Sequence, residues 1–135
     1  MSSVFERLVA LLDAAAARYR VIEHPAEGRS DLVASLRGTA PGQGAKAMLC
    51  KSRDEPPRFV LAVLPGDQKL DFRKVAEAAG VKRATLATSD EVLRETGCPI
   101  GAVPPFSLSP SIALFADPRL TDTYPEIAFN AGRLD

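Results

Sequence analysis

Four segments of the chain carry the apolar spacing or the end signals of helices, at about residues 3–17, 30–36, 72–79 and 89–96. In the first segment, apolar side chains recur every three or four residues, which is typical of a helix with one buried face. Three segments follow a residue that can cap a first helical turn, namely Ser2 or Ser3, Asp71 and Thr88. Glycines at 38, 80 and 97 follow the last three segments, where helices commonly end. We therefore predict four helices.

Six short apolar segments, at 19–23, 45–51, 59–64, 83–87, 112–116 and 126–130, have the length and composition of strands. The polar stretch 52–57 joins the second and third, which predicts a hairpin with an extended loop. Asp117-Pro118 predicts a turn, followed by a short irregular segment before the last strand. Strands and helices are mixed rather than strictly alternating. We therefore predict a mixed α/β (α+β) fold in which helices surround a central mixed sheet.

Lys46 stands out within the apolar strand 45–51. Period-two geometry puts it on one face with Met48 and Cys50, and the other face is apolar as well. A strand that is apolar on both faces is central in its sheet. Because burying an unpaired ammonium is costly, a lysine kept there is a candidate binder of an anion or a carbonyl group. The simpler alternative is an edge-strand lysine whose head lies in water.

Composition limits the classes of function. The 135 residues are 46% hydrophobic and 25% charged, which suits one globular domain spanning 1–135. The 17 basic and 17 acidic residues cancel, so no overall positive field concentrates nucleic acid or an anionic membrane. No segment reaches the roughly 20 apolar residues of a membrane helix, and the N-terminus lacks a signal-peptide pattern. We therefore expect a soluble cytoplasmic protein without membrane contact.

Histidine and cysteine are too scarce for a zinc site of about four ligands, since the chain has only His24, Cys50 and Cys98. His24 is also the only imidazole available as a base for a Ser-His-Asp arrangement. Cys98 could be a nucleophile, but a small apolar loop residue is the commoner role and no base is assigned to it. We expect no metal and no cofactor.

Five segments, in order along nearly the whole chain, resemble those of the YbaK/EbsC family, also called the prolyl-tRNA synthetase associated or aminoacyl-tRNA editing domain. They are Glu23-His24-Pro25, Ala45-Lys46, 60–67 (VLAVLPGD), 96–106 (TGCPIGAVPPF) and 129–133 (FNAGR). Each alone is a weak signal, whereas the ordered set is specific. The chain departs from the family at Ser107, where glycine is common, and many members continue beyond the last segment.

The resemblance implies a YbaK-type fold with a partly barrel-like sheet, and hydrolysis of a wrongly attached amino acid from the 3′ end of a tRNA. Lys46 corresponds to the family's principal functional residue, expected to hold the terminal nucleotide or the ester carbonyl. The loop centred on Gly101 is expected to offer backbone groups to the aminoacyl moiety. Lys46 and Gly101 are therefore the expected catalytic residues. The expected substrate-binding residues are His24, Gly97, Ala102, Val103, Pro104, Phe106, Asn130, Gly132 and Arg133.

The chemistry of an aminoacyl ester is compatible with such a site. The ester is already activated, so the protein needs to orient water and stabilise the oxyanion, which a fixed cation and backbone N–H groups can do. Lys46 could supply the charge and the loop 97–101 the N–H groups, because glycine lets the backbone approach a ligand closely. The base could be the substrate's own ribose hydroxyl. Arginines 18, 20, 29 and 37 could contact the acceptor end, although exposed arginines are usually just solvated.

The leading prediction is a trans-acting, cofactor-independent aminoacyl-tRNA deacylase whose partner is mischarged tRNA, with an aminoacyl-tRNA synthetase as a conceivable second partner. One alternative is a non-catalytic module that binds a nucleotide or the aminoacyl-tRNA 3′ end. Another is a hydrolase of small esters or amides. The amino acid removed stays open among cysteine, alanine, serine, threonine and proline analogues, and the oligomeric state stays open too.

Overall fold

A computed structural model describes residues 3–27 and 29–135. Its α-helices are α1 (Val4–Ala14), α2 (Ser30–Arg37), α3 (Phe72–Ala79), α4 (Ser89–Thr96) and α5 (Arg119–Asp122). Its strands are β1 (Ala45–Ser52), β2 (Phe59–Pro65), β3 (Ala84–Leu86) and β4 (Ala113–Ala116), and a 3₁₀ turn at Pro41–Gln43 precedes β1. The mixed α/β class predicted from the order of elements is confirmed.

The strands form one mixed sheet in the order β3-β1-β2-β4. β1 pairs antiparallel with β2 and with β3, whereas β4 runs parallel to β2. The predicted hairpin of β1 and β2 is confirmed, and its register places Lys46 opposite Leu64. The strand that carries Lys46 is therefore central, as the apolar character of both its faces predicted.

A hydrophobic cluster covers each face of the sheet. On one face, Leu49 and Leu61 pack with Val92 of α4 and with the buried part of the loop that follows it. On the other face, Cys50 packs with Val75 of α3. Burying each large aliphatic side chain stabilises the fold by roughly 1.5–3 kcal/mol. The sheet is thus a rigid platform at whose end the site can be held.

The helix ends follow the predicted chemistry. Ser3 accepts a hydrogen bond from the first turn of α1, and Asp71 accepts two from the first turn of α3. Thr88 and Glu91 form a reciprocal capping box at the start of α4. The glycines that end α2, α3 and α4 have left-handed φ angles of 72°, 66° and 74°. Ser2, the other candidate cap of α1, lies outside the described residues.

Two predicted strands are wrong. Segment 19–23 forms no strand, and Tyr19 and Val21 are exposed. Aromatic and β-branched residues favour a strand, but a ladder needs a neighbour that supplies hydrogen bonds, and the segment has none there. Segment 126–130 pairs only through an isolated parallel bridge between Ala128 and Gly44. Beyond that bridge the chain is held by side-chain contacts of Asn130 instead of a ladder.

The structure also contains one helix that was not predicted, and one predicted helix ends earlier than expected. The segment predicted as irregular after Asp117-Pro118 contains α5, because the Asp117 carboxylate accepts a hydrogen bond from the Arg119 N–H at 2.9 Å and Pro118 already has a helical φ of −62°. α1 ends at Ala14 instead of continuing to residue 17, because Ala16 adopts a φ of 53°, which a helix does not permit.

Candidate active site

Lys46 lines a small pocket at the beginning of β1. Its volume is about 60 Å³. Four separate parts of the chain form its wall: α2, the start of β1, the loop 101–103 and the segment 129–130. The lining residues are Val33, Arg37, Gly44, Ala45, Lys46, Ala47, Gly101, Val103, Phe129 and Asn130. The fold therefore brings together four residues that the sequence predicted for the site, Lys46, Gly101, Val103 and Asn130.

The Lys46 ammonium is half-buried and has no hydrogen bond or ion pair with any residue in 3–27 or 29–135. Burial lowers the pKa of Lys46, and the negative charge of Asp67 partly opposes that shift. A cation that has lost part of its hydration without gaining a partner is free to bind an incoming oxygen atom.

Asn130 connects three parts of the site. Its Nδ2 donates to the Gly101 carbonyl at 2.8 Å and to the Glu27 carbonyl at 3.4 Å. Its Oδ1 accepts from Nη2 of Arg37 at 2.7 Å. Because a guanidinium can only donate and a carbonyl can only accept, these partners fix the orientation of the amide. Asn130 thus ties α2 to the loop that contains Gly101.

The loop at Gly101 is held in a shape that requires glycine. Gly101 has a φ of 86°, a left-handed conformation that costs other residues energy. The next residue, Ala102, is held at both its backbone groups: its N–H donates to the Pro99 carbonyl at 3.0 Å, and its carbonyl accepts from the Gly132 N–H at 2.8 Å. The Gly101 N–H donates to no described residue and is available to a ligand.

Ser107, where the family commonly has glycine, closes the same loop with its side chain. Its hydroxyl lies 2.6 Å from the Ile112 carbonyl and 2.9 Å from the Ser109 carbonyl, both of which can accept its hydrogen bond. Ser107 is not among the described residues with positive φ. The substitution therefore leaves the backbone in a conformation that serine adopts without strain.

A larger groove of about 1200 Å³ adjoins the small pocket. It lies between α1, the segment 18–24 and the segment 125–135, and it shares Arg37, Phe129 and Asn130 with the small pocket. Phe106 packs edge to face on Phe129, with ring centroids 5.6 Å apart, and forms part of the groove wall. Small pocket and groove are thus two compartments of one continuous site.

The remaining predicted site residues divide between the groove and the interior. His24 and Arg133 line the groove: His24 Nδ1 lies 2.8 Å from the Pro25 carbonyl, and Arg133 is paired with Asp135 at 2.9 and 3.1 Å. Four others line neither compartment, and their expected binding roles stay predictions. They are Gly97, which ends α4, the buried Ala102 and Pro104, and Gly132, which packs on α1.

Arg37 is the site residue that sequence reasoning placed among exposed arginines. The structure shows it half-buried at the junction of the two compartments. A signal was available: Arg37 follows the buried Val33 by four residues in a helix, so both side chains lie on the same face. Arg18 and Arg20 are exposed and line the groove, whereas the exposed Arg29 lines neither compartment.

The two cysteines take no part in this site. Both are buried, and burial raises the pKa of Cys50 to about 11 and raises the pKa of Cys98 as well. Neither is a reactive thiolate at neutral pH. Within 3–27 and 29–135, no three His, Cys, Asp or Glu side chains come together as a metal site would require. In the same part of the chain, no helix has the length and apolarity needed to cross a membrane.

Comparisons with known sequences agree with the geometry. The sequence profile of the aminoacyl-tRNA editing domain matches residues 24–135. The chain is 47% identical over 135 residues to the multifunctional Ser/Thr-tRNA deacylase ProXp-y of Escherichia coli (strain K12), covering 99% of this chain and 81% of that protein. It is 30% identical over 97 residues to the proline-tRNA ligase of Kosmotoga olearia, covering 72% of this chain and 16% of the ligase.

Two solved structures have the same fold. A protein described as hypothetical superposes with a TM-score of 0.83 at 28% identity, over 96% of this chain and 84% of that one. A candidate trans-editing enzyme for prolyl tRNA synthetase superposes with a TM-score of 0.77 at 27% identity, over 98% of this chain and 83% of that one. The resemblance read from five sequence segments is confirmed. The chain belongs to the aminoacyl-tRNA editing domain family.

Proposed function

We propose that this protein is a trans-acting deacylase that hydrolyses the ester between a tRNA and a wrongly attached serine or threonine. The observation that carries the proposal is the half-buried Lys46 ammonium, which has no partner among the described residues and shares a pocket with the Gly101 loop. The relative with 47% identity is named a Ser/Thr-tRNA deacylase, which supports the same reaction and the same two amino acids.

In this proposal Lys46 and Gly101 act on the ester carbonyl. As water attacks, negative charge develops on the carbonyl oxygen, and a fixed ammonium and a backbone N–H stabilise it without reorganising. The lining of the small pocket contains no carboxylate and no imidazole, so no side chain there is suited to take a proton from water. We assign that role to the ribose hydroxyl beside the ester, which the substrate itself brings.

The size of the small pocket supports a small amino acid. About 60 Å³ walled by Ala45, Ala47 and Val103 leaves room for a hydroxymethyl or hydroxyethyl side chain but not for an aromatic one. The larger groove, at about 1200 Å³, has room for the nucleotides that precede the ester. We place the amino acid in the small pocket and the 3′ end of the tRNA in the groove.

An aminoacyl-tRNA synthetase is the protein partner that we propose beside the tRNA. Part of this chain is similar to a segment of a proline-tRNA ligase, and one structural neighbour is described as a candidate trans-editing enzyme for prolyl tRNA synthetase. With a net charge of zero, the protein has little long-range attraction for tRNA, so a bound synthetase would help to deliver it.

The test is release of labelled amino acid from tRNAs charged with serine, threonine or phenylalanine. We expect the wild-type protein to release serine and threonine and to leave phenylalanine attached. Lys46→Ala is expected to lower kcat at least 100-fold, the usual cost of removing one oxyanion-stabilising group. Lys82→Ala is the matched control, because Lys82 is exposed and its neighbour Arg53 follows the far end of β1.

Each other outcome has a distinct meaning. Full activity of Lys46→Ala, with its fold verified by circular dichroism, would remove the proposed role of the lysine. Binding of charged tRNA without turnover by the wild-type protein would establish a binding module instead. Equal hydrolysis of a simple seryl ester without any nucleotide would favour a small-ester hydrolase.

A further inference from the structure

Arg37 stands at the boundary between the two compartments of the site. It is in the last turn of α2, lines both the small pocket and the groove, and is half-buried. Its Nη2 donates to the neutral amide oxygen of Asn130 at 2.7 Å. Its Nη1 points towards the start of β1, since a Cβ built on Gly44 would lie 3.9 Å from that atom. The guanidinium is thus held in place by a group that carries no charge.

Arg37 forms no ion pair with a carboxylate in the part of the chain that the structure describes. Burial lowers the pKa of Arg37, and no neighbouring charge opposes that shift. For Lys46, which lines the same pocket, the charge of Asp67 partly opposes the effect of burial on the pKa, but the two residues form no ion pair. Two cations thus share one pocket after losing part of their hydration, without the anion that normally offsets the loss.

Three arginines in the described part of the chain are paired with carboxylates. Arg119 binds Asp117 with contacts down to 2.6 Å, and Arg94 contacts Glu95 at 3.3 Å. In the groove itself, Arg133 is paired with Asp135. The other lysines and arginines without an ion pair in 3–27 and 29–135 are exposed to water. Lys46 and Arg37 are thus the cations that lose hydration without gaining a carboxylate, and both line the small pocket.

We propose that Arg37 binds the 5′-phosphate of the terminal nucleotide of the substrate, at the junction between the small pocket and the groove. The proposal rests on the deacylase function, because it is the substrate that brings a phosphate to this place. A guanidinium keeps several N–H donors in a planar fork, which suits the oxygen atoms of a phosphate. With the phosphate on Arg37, the ester points towards Lys46 and the preceding nucleotides lie in the groove.

A purely structural role for Arg37 makes a different prediction. If Arg37 only held Asn130, and through it the Gly101 carbonyl, its loss would disturb the loop for every substrate alike. Binding of a phosphate affects only those substrates that carry one. The two roles are therefore separated by a pair of substrates that differ in a single phosphate.

The experiment compares the 3′-seryl ester of adenosine 5′-monophosphate with the 3′-seryl ester of adenosine. Arg37→Gln removes the charge, and its side-chain amide can still donate to Asn130. We expect the ratio of kcat/KM for the phosphorylated ester to that for the unphosphorylated ester to fall at least tenfold, mainly through KM. Arg73→Gln, an exposed position on α3, is the control and should leave the ratio unchanged. An unchanged ratio in Arg37→Gln would overturn the proposal.

A binding measurement separates this proposal from the proposed function. If the wild-type protein hydrolyses neither ester, the assay with charged tRNAs decides the deacylase function, and calorimetry with adenosine 5′-monophosphate decides the phosphate site alone. Binding that weakens at least tenfold in Arg37→Gln would support the site, whereas equal binding by both proteins would overturn it. Arg37→Lys, which keeps the charge but loses the planar fork, is expected to lie between the two.

Discussion

Gly132 is the residue at which the C-terminal segment touches α1. Its φ is 85°, and a Cβ added there would lie 2.9 Å from Cγ1 and 3.0 Å from Cβ of Val4. Its N–H also holds the Ala102 carbonyl, next to the loop residue that faces the small pocket. A Cβ atom at this position would therefore crowd α1, and a resulting shift of the backbone would disturb the hydrogen bond to Ala102 beside the site.

Gly132→Ala is expected to destabilise the protein more than Gly38→Ala does. Both positions have left-handed φ angles, for which an alanine costs about 1–2 kcal/mol. Only Gly132 is crowded, since a Cβ on Gly38 meets no atom within 4 Å, and overpacking adds roughly 1–3 kcal/mol. Urea unfolding of the two variants measures the difference. Equal losses of unfolding free energy in the two variants would show that the Val4 side chain moves aside at no energetic cost.

Single residues were predictable from the sequence when their chemistry conflicted with their surroundings. Lys46 is a cation inside an apolar strand, and that conflict is visible without a structure. Arg37 is a cation at the end of a short helix with equal numbers of apolar and polar residues, a place where an exposed arginine is usual, and only the fold buries it between the two compartments. The contacts of Asn130 were not predictable either, because they depend on where the chain folds back after Ala128.

An ion pair of Glu91 connects helix α4 to strand β1. Glu91 Oε2 lies 2.7 Å from Nζ of Lys51 on β1, and Oε1 accepts the Thr88 N–H at 3.0 Å to complete the capping box. The hydrogen bonds from Lys51 and from the Thr88 N–H lower the pKa of Glu91 to about 2, from an ordinary value of 4.5. The ionised form of Glu91 is thus favoured by folding.

The stability gained from Glu91 is expected to depend on pH. A carboxyl whose pKa is lowered by folding stabilises the protein fully above its unfolded pKa of about 4.5, and that contribution is lost as the pH falls through about 2. Glu91→Gln should therefore unfold at a lower urea concentration than the wild type at pH 7, and the gap should narrow at pH 3. For Glu77→Gln, at an exposed position on α3, the difference in urea midpoint from the wild type should be the same at pH 7 and at pH 3. A Glu91→Gln gap that is the same at both pH values would contradict the assignment.

Elements were predictable where local signals sufficed. Caps and glycines marked α3 and α4, and apolar runs with a polar connection marked the hairpin of β1 and β2. The segments 19–23 and 126–130 have residues similar to those of the true strands. Whether such a segment forms a strand depends on whether the rest of the fold leaves a free sheet edge beside it. The parallel pairing of β4 with β2 has no local signal, because nothing near residue 113 specifies which strand it will join.

The whole molecule carries no net charge, which limits its long-range electrostatic attraction for tRNA. With 17 basic and 17 acidic residues, attraction arises from particular contacts and not from a general field. Each phosphate bound on a single strand contributes about −0.7 to the slope of log affinity against log salt. The number of phosphates that the protein holds can therefore be counted from a salt titration.

Binding of uncharged tRNA is expected to have a shallow salt dependence. One phosphate contact, from Arg37, gives a slope of about −0.7, which lowers the affinity about threefold between 50 and 200 mM salt. Fluorescence anisotropy across that range measures the slope, and Arg37→Gln should reduce it by about 0.7. A slope steeper than about −4 would mean that an extended basic surface binds the tRNA body.

The link from Arg37 to Asn130 spans 93 residues of chain, and Asn130 lies a further 29 residues from its partner Gly101. On the ribosome, the lysine and the glycine loop are synthesised well before the asparagine that joins them to α2. A nascent chain that ends before residue 130 therefore lacks the completed site. Charged tRNAs are abundant around the ribosome. Under the proposed function, an incomplete nascent chain is not expected to deacylate them. Editing activity therefore requires, under the proposed function, that synthesis has passed Asn130.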